Sequence, residues 1–362
     1  MNRLRQVSGL LLALALPIAA PCLADVKAVG DVLESPAMQV PNAEIAVFTD
    51  LARAGDRLVA VGERGLVLLS DDNGQHWRQA SVPVSVGLTA VQFVDASHGW
   101  AVGHAGVVLA TTDGGENWAL QLDGRRAAQL ELDAARHELP AAADAEAAET
   151  RVQTAERLVE EGADKPLLAL AFSDADHGLV VGAYGLALRT EDGGTTWRSV
   201  MGAIDNPMGL HLYAVARQGV AWFLAGEQGY LARSPDGQQF HQLESPYAGT
   251  LFTLASRADG ALLIGGLKGH AFLLAKDADS AEALPMMAPL SFSDAIRLDD
   301  GRVLLANQAG GLFASTPGAF APAAKRLGKP VSGLVQAADG TLVFAGFTGL
   351  LRLPQSAVSA SE

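Results

Sequence analysis

Cysteine is all but missing from this chain: Cys22 is the only one in 362 residues. That excludes an internal disulfide framework and any thiolate metal cluster. Histidine is scarce, at eight residues, and no HExxH or Cys/His cluster occurs, so no metal is implied. The Asp- and Gly-bearing loops also fail the calcium-loop pattern, which needs glycine at its sixth position. No other cofactor is implied. Charge is thin and one-sided: 26 Lys and Arg against 40 Asp and Glu leave a formal net charge of −14. Such a surface repels phosphate backbones and anionic lipid, so nucleic acid is not an expected partner. Long apolar runs are missing too. The stretch Leu10–Ala20 falls short of the roughly 20 residues that span a bilayer.

What is present is apolar character, 49% of residues, and 39 glycines, enough for a large core and many tight turns. Residues 1–24 read as a secretory leader, with Arg3 and Arg5 ahead of the apolar stretch and Ala24 before the cleavage point. A secreted, periplasmic protein is expected. Losing Arg3 and Arg5 would take the charge from −14 to −16. A lipid anchor on Cys22 is the weaker reading, because Pro21 stands where a small residue is required.

One unit recurs along the rest. The turns AVGERG, AVGHAG, VVGAYG, LAGEQG, IGGLKG, LANQAG and FAGFTG end at Gly65, Gly106, Gly185, Gly229, Gly269, Gly310 and Gly349. Their spacings are 41, 79, 44, 40, 41 and 39, with one insertion in the second interval. Seven copies at about 40 residues is the period of four-stranded propeller blades. The expected fold is therefore all-β, a seven-bladed β-propeller of four-stranded blades, forming one domain over residues 25–362. The last copy has room for three strands, so residues 25–46, within Val26–Pro41, are expected to supply a closing strand. Residues 123–165 turn to Ala, Glu, Arg and Leu at helical spacing, with Pro140 between two stretches and Gly162 at the end. They read as an α-helical hairpin inserted between blades two and three.

A second signal follows the third strand of the early copies. Ser70, Asp72, Gly74 and Trp77 form an Asp box, repeated at Thr111, Asp113, Gly115 and Trp118 and at Thr190, Asp192, Gly194 and Trp197. A fourth, Ser234 to Phe240, is one residue short. The chemistry is structural: a carboxylate accepts backbone N–H groups of its own turn, glycine permits the turn, and Trp packs into the blade.

The phrase F-x-D-x-x-H-G-x-x-V-G-x-x-G, then T-x-D-G-G-x-x-W, occurs at Phe93–Trp118 and Phe172–Trp197. It resembles the photosystem II stability/assembly factor-like propellers of the Asp-box (BNR) repeat superfamily. The resemblance covers most of the mature chain and fades in the later copies. It implies a non-enzymatic binding or assembly factor, acting as a monomer on a membrane-associated protein or complex. Relatives outside photosynthesis point to an exporter as one such complex. The long hairpin departs from the photosynthetic pattern.

Asp-box propellers also include sialidases, so a glycosidase-like or glycan-binding protein is the alternative. That chemistry needs an arginine cluster, a Tyr–Glu nucleophile pair and an acidic donor. The inner strands carry almost no charge beyond Asp50 and Asp294, and no catalytic residue is assigned. Arg217, Arg257 and Arg297, near the ends of three inner strands, read either as an anion site or as solvated turn arginines. In a four-stranded meander the Gly-x-x-Gly turns share a face with the hairpin, opposite the Asp boxes. That face gathers Glu63, Arg64, His104, Tyr184, Glu227, Gln228, Lys268, Gln308 and Phe347, read either as partner-binding residues or as ordinary surface variation. His98 and His177 share one repeat position and read as turn supports.

Overall fold

Apolar runs of four to six residues, broken by Gly and Asp, fold here as short antiparallel strands. In the second copy they are Leu88–Phe93, Gly99–Gly103, Val108–Thr111 and Ala119–Leu122. The computed structural model describes residues 31–285, 289–316, 319–323, 326–354 and 356. Within them lie six four-stranded meanders and a seventh sheet of three strands, Gly333–Gln336, Leu342–Ala345 and Leu351–Leu353. The second strand of a blade is buried along its whole length, as in Gly99–Gly103, Gly178–Gly182 and Leu262–Gly266. A strand covered on both faces loses the in–out alternation of a half-exposed sheet, and its sequence reads as a continuous apolar run.

The inner strands pack side by side in chain order, and the seventh packs on the first, so the ring is closed. Each of the first six inner strands slips register after its first residue. In three interfaces a hydroxyl at the start of the inner strand bridges to the next blade. Thr49 Oγ1 donates to Leu88 O at 2.7 Å, Thr89 Oγ1 to Leu167 O at 2.7 Å, and Ser332 Oγ to Phe48 O at 2.6 Å.

The closing strand expected within Val26–Pro41 does not form over residues 31–41. That stretch instead lies along the segment leaving blade one, where Ala37 N donates to Val82 O and Ser85 N to Val32 O. Residues 26–30, the leader and Cys22 fall outside the described residues. Closure comes from direct contact. Phe48 N donates to Gly346 O, Leu350 N donates to Glu44 O, and Arg352 Nε donates to Asn73 O at 2.8 Å. Phe48, Leu58 and Leu68 of blade one share a buried core with Val335, Val343 and Ala345 of blade seven.

The insertion forms two helices, α1 (Gly124–Glu138) and α2 (Ala145–Glu161). Asp123 and Asp144 cap them, accepting from Arg126 N at 2.9 Å and Ala147 N at 3.0 Å, and Gly162 ends α2 at φ 77°. Helix α1 lies against Arg198–Ser199, the outer strand of blade three, and covers that edge. Among the described residues no helix is long and apolar enough to cross a membrane.

Candidate functional site

The family phrase becomes intelligible once its atoms are placed. Phe93 ends an inner strand and lays its ring over Gly99, where a Cβ would approach to 2.5 Å; Phe172 and Gly178 repeat the arrangement more tightly. Asp95 accepts from Ser97 N and His98 N at 2.7 Å each, and His98 Nδ1 lies 2.8 Å from its other oxygen. His177 holds Asp174 in the same way, with its backbone N and its Nδ1 both on Asp174 Oδ1. Trp118 meets Phe93 edge-on at 6.0 Å, and Trp197 meets Phe172 at 6.2 Å. These histidines hold turns.

The three complete Asp boxes are built alike. Asp113 Oδ1 accepts from the Thr111 hydroxyl at 2.8 Å and from Asn117 N at 3.0 Å, while Gly115 N donates to Thr111 Oγ1. Asp72 sits between Ser70 Oγ, Gln75 N and His76 N, and Asp192 between Thr190 Oγ1, Thr196 N and Thr196 Oγ1. The His76 N–H, before all other contributions, holds the Asp72 carboxyl well below its usual range; the Thr196 hydroxyl does so for Asp192. Trp118 Nε1 donates to Gly115 O at 2.9 Å, and Trp77 packs at the seam between blades seven and one.

Each box is also tied to the blade before it. Gly114 O accepts from Arg57 of blade one, Gly193 O from Trp100 and Gln121 of blade two, and Gly237 O from Arg189 of blade three. Asn73 O of the first box accepts from Arg352 of blade seven. Where the box is lost, in blade five, Ala278 O still accepts from Arg233 of blade four.

In the channel, Asp50 accepts from Leu51 N and from Val91 N of the next blade, both at 2.8 Å. Asp294 repeats this with Ala295 N at 2.7 Å and Leu334 N at 2.9 Å. Gly333 stands between their blades, and a Cβ there would come within 2.9 Å of Asp50 Cα. Burial raises the pKa of both carboxyls, and the Asp294 charge raises that of Asp50 further. All four carboxylate oxygens are engaged by backbone N–H groups, which makes them braces between inner strands. Among the described residues no group of three or more His, Cys, Asp or Glu is placed to hold a metal.

On the hairpin face, Glu63, Arg64, His104, Tyr184, Gln228, Lys268, Gln308 and Phe347 are exposed and Glu227 is half-buried. They sit one or two to a blade around the rim. Only Tyr184 and Glu227 are drawn together, through His211. The Tyr184 and His211 rings lie 4.8 Å apart, His211 Nδ1 accepts from Tyr184 N, and His211 N donates to Glu227 Oε2 at 3.0 Å. The aromatic surface continues inward through Tyr213 to Phe252. Sequence reasoning missed His211, Tyr213 and Phe252. Tyr213 and Phe252 occupy the position that carries a hydroxyl in blades one, two, six and seven (Thr49, Thr89, Ser293 and Ser332), and aromatic residues there were the available signal. Five rim residues (Arg64, Ala105, Tyr184, Gln228 and Lys268) also hold left-handed backbone, with φ between 52° and 58°.

Beside this surface, α2 and residues 201–209 border a cavity of about 890 Å³ that includes Tyr184, Met208 and Phe240. Tyr184 and Met208 are 52% and 66% exposed, the larger apolar groups at its mouth. The hairpin that walls it is fastened to the ring. Glu131, 1% exposed, accepts from Arg151 Nε at 2.8 Å and from the Ser199 hydroxyl of blade three, and Arg151 also pairs with Glu138 at 2.5 Å. A buried Glu on an otherwise apolar helix stripe is not something helical periodicity announces.

On the opposite face, Arg217, Arg257 and Arg297 do line one cavity, and Arg53 joins them. Arg53, Arg217 and Arg297 hold the same place opposite the second strand, facing Leu58, Trp222 and Val303, while Arg257 lies one residue beyond its strand's end. Arg257 forms a fork with Asp259 at 3.2 and 2.9 Å and holds that carboxyl below its usual range.

Fold and turn chemistry thus define an Asp-box β-propeller. Residues 69–136 and 148–245 match the family described as photosynthesis system II assembly factor YCF48. That match covers just under half of the chain, from the end of blade one through blade four, and makes the chain similar to photosystem II assembly factor-like β-propellers there, while the structural neighbours add the propeller fold. It is similar to YCF48 bound to D1 peptide (TM-score 0.62, 17% identity, 88% of this chain and 99% of that one). YCF48 from Cyanidioschyzon merolae gives 0.60, 15%, 88% and 99%. The WD40 propeller domain of Doa1 gives 0.60 and 10%, with 88% and 95% covered. Against curated proteins the sequence finds no match.

Proposed function

We propose that this chain is a non-enzymatic, exported assembly or binding factor that captures part of a membrane protein on its hairpin face. The observation that carries the reading is the aromatic and apolar surface of Tyr184, His211, Tyr213, Phe252 and Met208, set beside a cavity whose helical wall is locked to the ring. Exposed aromatic and methionine side chains beside a rigid concavity suit the anchoring of an apolar peptide segment. The likeness to a propeller solved with a peptide of D1 supports a peptide ligand, and the leader motif supports export to the periplasm. An exporter is a candidate partner from the resemblance of the sequence. The engagement of Asp50 and Asp294 by backbone leaves the glycosidase alternative without a free carboxylate pair.

The test is site-specific photocrosslinking in the native envelope, with the probe at Met208 or, on the opposite face, at Asp71. Adducts to an integral membrane protein from Met208 alone are expected, and Tyr184→Ala should weaken them at least threefold. Equal adducts from both positions, or none from Met208, would overturn the proposal.

A further inference from the structure

We propose that the Asp-box end of the channel is a binding site for a small multivalent oxyanion, carrying carboxylate or phosphate groups, held by Arg217 and Arg297 with Arg53 and Arg257 at its edge. This is independent of the docking reading and concerns the opposite face. The cavity there measures about 1240 Å³ and runs from the channel mouth into the cleft between blades four and five. Its lining carries six cationic side chains against two carboxylates, in a chain whose net charge is −14. Positive charge gathered against the sign of the whole molecule concentrates anions locally, and the acidic surroundings disfavour a long polyanion.

The arginines differ in what they already hold. Arg257 is forked on Asp259, and Arg53 lies 3.6 Å from Asp299. Arg217 and Arg297 form no ion pair with any described residue. The Arg217 guanidinium lies over the Trp222 ring at 5.2 Å, which orients it as a cation without using its N–H groups. Its Nε is buried with no hydrogen-bond partner in the protein. A buried guanidinium N–H without an acceptor has lost its water and gained nothing in return, and an oxyanion arriving from the channel would supply that acceptor. Guanidinium groups match the spacing of carboxylate and phosphate oxygens, which sets the ligand class.

The experiment is calorimetric titration of the full chain with citrate and, separately, pyrophosphate at constant ionic strength. Saturable one-to-one binding of at least one is expected, and the tighter of the two tells carboxylate from phosphate chemistry. Arg297→Gln, an exposed residue whose change leaves the fold intact, should weaken binding at least threefold. Arg217→Gln with Arg297→Gln should weaken it at least tenfold. Tyr184→Ala, on the docking face, should leave it unchanged. No saturable binding of either anion, or equal binding by Arg297→Gln and the unmodified chain, would overturn the proposal.

Discussion

Asp113 accepts hydrogen bonds from a hydroxyl, a backbone N–H and a side-chain amide within one turn. Truncating it to alanine orphans those donors, at a cost of about 1–3 kcal/mol. Asp236, in the shortened fourth box, accepts one backbone N–H and a longer bond of 3.3 Å from Ser234. Urea unfolding should therefore show Asp113→Ala to be the more destabilising of the two. The channel carboxyls behave oppositely to the box carboxyls. Their folded-state pKa lies above the unfolded one, so the native ring binds more protons between them. Stability from this source is complete below about pH 4 and is lost as pH rises toward about 8, the value to which Asp50 is pushed. Asp50→Asn should lower the melting temperature in acid, where it loses one backbone contact, yet flatten the decline between those limits. A melting series across pH, run on both proteins, checks this.

At the scale of elements, the hairpin is part of the ring wall. Replacing Arg151 with alanine leaves Glu131 charged and buried against Ser199, at a cost of about 3 kcal/mol. Hydrogen exchange should then speed up in α1, α2 and residues 198–199 together, while blade six keeps its protection. Blades were legible in the sequence because their glycines recur at a fixed interval and their buried strands are uniformly apolar. The hairpin was legible from its composition, but not its seat. In the second helix, helical spacing puts Ala145, Ala148, Val152, Ala155 and Val159 on one stripe, yet burial falls at Ala155 and Leu158, with Val159 38% exposed. Helical period fixes which residues share a face, not which face meets a partner. Arg53 was overlooked for a related reason: equal spacing of 40 drew attention to three arginines, while common strand position unites a different three.

For the whole molecule, the interesting interface is the one between the chain's two ends. Blade seven has three strands among the described residues, and the seam rests on a shared core, several backbone bonds and Arg352. Arg352→Ala removes an exposed charge-assisted bond to Asn73 and the exposed pair with Asp339, together about 1 kcal/mol. Exchange protection should fall first in blades one and seven, with the middle blades unaffected; uniform loss would argue against a weak seam.

The one-way linkage of the Asp boxes has a practical corollary. Every box receives its grip from the blade on one side, so injury to a single loop loosens the upstream neighbour before its own sheet. The ring resembles a line of people each holding the belt of the next, and a release is felt behind, not ahead. Mutational damage should spread against the direction of the chain.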